Sequence, residues 1–203
     1  MMIFFLLLSF LLPLRGICAI ELKVGDILLQ PLDCWSCALI EAQEKSPYSH
    51  MGMVIEVGEE IRVVEAMGEV KVLSLSEFQE KTENGQNILV LRLKNEDAVL
   101  FLQNEQESLQ NYFKTSFLGL PYDHDFLWNN FDERGREKLY CSEFVSKIYR
   151  HFLGIEIPLK EMAFDINRTE WIRYFRGNPP DGLPGNSPAT FERSPDFFRV
   201  GVL

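Results

Sequence analysis

From Leu139 to Leu153 the apolar residues Phe144, Val145, Ile148, Tyr149 and Phe152 recur at spacings of three and four, and Gly154 follows as a stop. That period predicts an amphipathic helix with one face against a core. Cys141 falls in its first turn. Unpaired backbone N–H groups and the positive end of the helix dipole collect there, and both favour a thiolate over a thiol, so a lowered thiol pKa is expected. The same N–H groups can donate to a developing oxyanion. An inert core thiol is the competing reading, because cysteine is among the most buried residue types.

A second pattern bears on that choice. His50 to Val57 and Ile61 to Met67 are β-rich runs about a turn at Gly58 and Glu59, a hairpin signal. If Val57 pairs with Glu60, cross-strand partners on one face differ in parity, and His50 and Glu65 do differ in parity. Their side chains are then expected on the same face, one diagonal step apart, so that the carboxylate reaches the imidazole. Glu65 bonded to one ring nitrogen leaves the other to take the proton of Cys141. The alternative is a surface ion pair on an edge strand, against which Val63, Val64, Ala66 and Met67 surround Glu65 with apolar neighbours. Of the other two histidines, His124 lies in an acidic loop and His151 sits ten residues beyond Cys141, about 15 Å along a helix. His50 is the base by elimination.

The rest of the chain reads as an α+β domain with a small antiparallel sheet. Lys23 to Leu29 is a strand ending before Pro31, Asp33 caps a helix from about Cys34 to Lys45, and Pro47 follows that helix. Lys71 to Leu73 and Ile88 to Leu93 are strands with a short helix near Ser76 to Lys81 between them. Glu96 to Phe117 has the period of one amphipathic helix, stopped by Gly119 and Pro121. Tyr122 to Arg136 is an aromatic, acidic loop whose Phe126, Trp128 and Phe131 are expected in the core. Asp26 is expected to cap or brace the first turn. A proline-rich tail ends in a strand at Phe197 to Val202.

The 203 residues suffice for one core and not for two large ones. A formal charge of −10, with no concentrated basic patch, argues against nucleic-acid binding. Residues 1–19 read as a signal peptide, leaving a domain over 20–203: Met1 to Leu14 carry no charge, Ile3 to Leu12 are apolar apart from Ser9, and Ala19 offers a small-residue cleavage point. The apolar run is too short to span a bilayer as a helix. Arg15 lies on its far side, so an uncleaved anchor is the alternative, while Arg15, Gly16 and Ile17 before Cys18 do not make a lipobox. Cleavage after Ala19 removes Arg15, which takes −10 down by one to −11, and leaves three cysteines. In an oxidising compartment, an odd number suggests one bridge and one free thiol.

The segments KVGDILLQ, SPYSHMGMVIE, VVEAMG, GLPYDHDFLW and LYCSEFVSKIYR resemble the YiiX/YebB-like branch of the NlpC-type papain-like superfamily. The likeness runs from about Val24 to Gly154, and the tail SPATFERSP is similar too. It implies a circularly permuted papain-like fold, in which the histidine strand precedes the cysteine helix, as here. By position it places the nucleophile on Cys141, the histidine on His50 and the acidic member on Glu65. It further implies an amidase, peptidase or acyl-transfer enzyme, without carrying over a substrate; for an exported enzyme a cell-envelope peptide or a lipid-linked amide is the expected one. A non-catalytic module binding lipid or cell-wall peptide on the same fold is the alternative. Exported, the protein would meet a cell wall or a membrane surface.

Other residues are open between roles. Tyr122, in the family's GxPYD segment, either lines a substrate groove or packs, and Tyr140 is either a pocket wall or a core plug. Cys34 and Cys37 form a CxxC that reads as a structural bridge, a redox pair or half a zinc site, with no second pair to complete a zinc set. Neither a metal nor a cofactor is expected.

Overall fold

The computed structural model describes residues 20–203; the leader read from residues 1–19, with Cys18, lies outside the described residues. Gly25 takes φ 89°, a backbone glycine adopts without penalty, and Asp26 closes the turn by accepting from the Lys23 N–H at 2.8 Å. The first strand therefore starts later than its apolar run, with β1 at Ile27–Gln30. Asp26 also pairs with Arg92 at 2.6 Å, so it braces this turn. Helix α1 spans Trp35–Glu44. Its cap is Cys34, whose sulfur accepts from the Cys37 N–H, and not Asp33, which is exposed. Lys45 ends the helix in a left-handed conformation.

Three strands follow: β2 (His50–Glu56), β3 (Arg62–Met67) and β4 (Glu69–Ser74). Ser74 and Glu77 cap each other's backbone and start α2 (Leu75–Gln79), after which comes β5 (Leu89–Leu93). The periodic stretch from Glu96 is two helices rather than one, α3 (Glu96–Asn104) and α4 (Gln106–Ser116), broken at Glu105 with ψ 20°. The break lets α3 pack on β5 while α4 reaches β2, which one straight rod could not do.

The acidic loop carries a small ladder, β6 (Asn130–Phe131) with β7 (Glu137–Lys138). Asp123 organises it by accepting from the Asp125 N–H at 3.0 Å, the Leu127 N–H at 2.8 Å and Asn130 Nδ2 at 2.9 Å. Phe126 is buried as expected, whereas Phe131 is exposed because it lies on this outlying ladder. Helix α5 is Cys141–Leu153, ended by Gly154 at φ 63°. The tail holds β8 (Lys160–Glu161), α6 (Arg168–Phe175), β9 (Pro184–Gly185), α7 (Pro188–Arg193) and β10 (Phe197–Val202).

The main sheet has the order β10-β5-β1-β2-β3-β4, with every pairing antiparallel. Alternation along the strands divides the core. Ile27, Leu29, Met51, Met53, Val64 and Ala66 pack with Phe144, Val145, Ile148 and Tyr149 of α5. Leu28, Val54, Val63 and Val90 pack with Phe78 of α2 on the other side. Burial of this kind contributes about 1.5–3 kcal/mol for each large apolar side chain.

The β2–β3 pairs are Gly52 with Glu65, Met53 with Val64 and Val54 with Val63, the register that a turn at Gly58 and Glu59 predicts. The turn itself differs. The connection is the longer loop Val57–Ile61, and Glu56 pairs with Arg62, so Ile55 is an extra residue bulged into β2. The longer loop and the bulge offset one another, and parity at the far end of the hairpin is preserved.

Candidate active site

Cys141 is the first residue of α5, immediately after its N-cap Tyr140, and no side chain caps that end. Cys141 thus sits in the first turn, whose N–H groups have no acceptor within the helix. Helix α5 packs across β2 and β3, and His50 opens β2, so helix start and strand start meet at one end of the sheet. Cys141, His50 and Glu65 are all buried, with exposures of 5%, 3% and 0%.

Glu65 Oε2 lies 2.9 Å from His50 Nε2, which leaves Nδ1 for the sulfur. The two residues share the face that carries Val54, Val63 and Phe78, and the Phe78 ring lies 6.0 Å from the imidazole. Burial opposes charge on His50, but the neighbouring Cys141 and the bonded Glu65 outweigh it and raise the imidazole to about 9. Burial likewise works against the Glu65 carboxylate, and the His50 and Lys81 bonds overcome it, bringing Glu65 down to about 2. Glu65 Oε1 is held by Lys81 and lies 3.5 Å from Lys71, so the buried carboxylate meets cations on two further sides.

This set of groups can hold a proton on an imidazole beside a nucleophilic sulfur and can donate from a helix start to a carbonyl oxygen. The model of the permuted papain-like amidase enzymes, the YaeF/YiiX, C92 family, matches residues 21–200. The chain belongs to this family. It is similar to the uncharacterized protein YiiX of Escherichia coli (strain K12), at 28% identity over 152 residues that make up 73% of this chain and 68% of that one. A crystal structure of yiiX from Escherichia coli O157:H7, described as a metalloprotein, matches with a TM-score of 0.73 at 26% identity, covering 88% of this chain and 96% of that one. The permuted order is visible directly, since the histidine strand β2 precedes the cysteine helix α5.

Tyr122 and Tyr140 both line a cavity beside Cys141. Tyr140 serves as wall and plug together: it is buried, and its phenol oxygen accepts from the Asn186 N–H at 3.3 Å. Burial raises the phenols of Tyr122 and Tyr140 far above their usual range, so both stay neutral. His124 packs edge-on against Tyr122, and His151 stacks on Tyr112 at 3.9 Å; neither bonds Glu65. Cys34 and Cys37 form a disulfide outside the cavity lining.

The candidate site has parts that the sequence did not reveal. Lys81 follows the end of α2, and nothing in its local pattern sets it apart from other surface lysines. Met162, Phe164, Trp171 and Asn186 reach the cavity from the proline-rich tail, where no period marks an inward face. Glu143, also on α5, is buried and raised to about 7 by that burial, although it accepts from the Asn129 N–H and from Lys147.

Proposed function

We propose that this chain is an exported cysteine amidase or peptidase in which Cys141 is the nucleophile, His50 the acid and base, and Glu65 the group that orients His50. The observation that carries this reading is the buried pair in which His50 Nε2 lies 2.9 Å from Glu65 Oε2, at the end of the sheet where α5 begins with Cys141. The sulfur attacks the carbonyl carbon of an amide, a carbon–sulfur bond forms, and the carbonyl oxygen takes the negative charge beside the first-turn N–H groups of α5. The carbon–nitrogen bond then breaks, and His50 gives its proton to the departing amine. Water adds to the thioester with His50 taking a proton, and the acid leaves as the thiol is restored.

A disulfide between Cys34 and Cys37 is a bond that persists in oxidising compartments, which supports export. The substrate class we propose is a cell-envelope peptide or a lipid-linked amide. The yiiX crystal structure is described as a metalloprotein; in this chain no three His, Cys, Asp or Glu side chains come together as a ligand set among the described residues, and no step is assigned to a metal. Mass spectrometry of protein incubated with activated acyl amides is the test. Acylation should appear on the Cys141 peptide of the wild type and be lost in His50→Ala; equal labelling of a Cys141→Ala protein would sink the assignment.

A further inference from the structure

Beside Cys141 lies a cavity whose walls include Ile40, Phe126, Met162, Phe164 and Trp171, with Asn186 among its lining. Two buried polar atoms of that lining have no hydrogen-bond partner among the described residues, the donor Trp171 Nε1–H and the acceptor Asn186 Oδ1. The remaining polar groups of Asn186 are engaged: Nδ2 donates to Ser146 Oγ at 2.7 Å, the backbone N–H donates to Tyr140, and the backbone carbonyl accepts from Ser142 Oγ at 3.2 Å. Asn186 is thereby held in place with one acceptor to spare. An unmatched buried donor or acceptor costs about 1–3 kcal/mol, and each one in a native fold calls for an occupant or a purpose.

Charge in the lining is already neutralised. Glu44 is its one carboxylate, and both oxygens are held by Lys160. The tyrosines stay neutral, as burial raises both. A charged substrate group would find no counter-ion here, and a bare hydrocarbon would leave both orphan atoms unmatched. An amide has a carbonyl for the indole N–H and an N–H for the Asn186 oxygen.

We infer that this cavity receives the acyl side of the scissile bond and selects a neutral apolar residue that itself carries an amide, such as an N-acylated or peptidyl hydrophobic amino acid, over a plain hydrocarbon acyl chain. The inference rests on the proposed role of Cys141 as nucleophile, which fixes the end of the cavity where the carbonyl must sit. It makes Trp171 and Asn186 specificity-determining residues rather than packing.

The test compares aminomethylcoumarin amides of N-acetylleucine and of isocaproic acid, which share the branched chain and differ by the acetamido group. The wild type should favour the N-acetylleucyl amide in kcat/KM by at least about tenfold, since a site built to hydrogen-bond a group rejects the analogue that lacks it. Trp171→Phe should cut that ratio by about fivefold or more, with circular dichroism confirming that the variant is folded. A wild-type ratio near one overturns the inference without any variant, and so does a ratio unchanged in folded Trp171→Phe. If neither compound is cleaved, the hydrolase reading fails on its own; calorimetric binding of N-acetylleucinamide and isocaproamide to Cys141→Ala then decides selectivity separately, with tighter binding of the former upholding it and equal binding refuting it.

Discussion

Glu65 sits across the ladder from Gly52, not from His50, and bonds His50 diagonally at 2.9 Å. The residue that faces the carboxylate is thus the one that has no side chain. Phe78 fills the space above it, and the imidazole packs beside that ring.

Gly52→Ala tests this arrangement. A Cβ there would lie 2.7 Å from Val63 Cγ1, 2.8 Å from Phe78 Cε2 and 3.1 Å from the Val64 carbonyl oxygen. Both side chains are packed in the core and the third atom is backbone, so the strand itself must shift. Thermal unfolding should show a loss of about 1–3 kcal/mol, and kcat should fall because His50 moves with β2. A variant as stable and active as the wild type would show that the strand gives way freely.

The alkaline limb of activity should report His50. The step that protonates the leaving amine needs the imidazolium, so kcat/KM should fall as pH rises through about 9. Glu65→Gln keeps the shape and removes the charge that helps raise His50, so the limb should move to lower pH. The rate at neutral pH should drop on the order of 10²-fold. An unmoved limb would mean that another group sets it.

Stability should respond to pH from two sides. His50 is raised on folding, so its contribution is complete below its ordinary 6.5 and is lost as pH rises through about 9. Glu65 is lowered on folding, so its contribution is complete above its ordinary 4.5 and is lost as pH falls through about 2. Lys81→Met removes a cation from the buried carboxylate and raises Glu65, which should start the acid-side loss at higher pH. Near neutrality the variant should lose about 1–3 kcal/mol, Lys71 at 3.5 Å softening the effect. Melting temperatures of both proteins across the acid range would read the difference.

The disulfide should matter to stability and not to turnover. Cys34→Ser with Cys37→Ser should lower stability by about 2 kcal/mol, the chain-entropy term for so short a loop. Hydrolysis should stay within twofold, because neither sulfur lines the cavity. A large loss of rate in a folded double variant would revive a redox role for the pair.

What the sequence determined by itself was local or periodic. The spacing of Phe144, Val145, Ile148, Tyr149 and Phe152 defines α5, and its start places Cys141 at a helix N-terminus. The parity of His50 and Glu65 survives the longer turn only because the bulge at Ile55 compensates for the extra loop residue. The tertiary structure decided everything that depends on contact between distant segments. It set the break at Glu105, where two helix halves pack on different strands. It also placed Lys81 and Lys71 against Glu65, and brought Trp171 and Asn186 to the cavity from a tail with no period to read. Those partners meet through packing of the whole core, and a pairing made across many residues leaves no repeat along the chain.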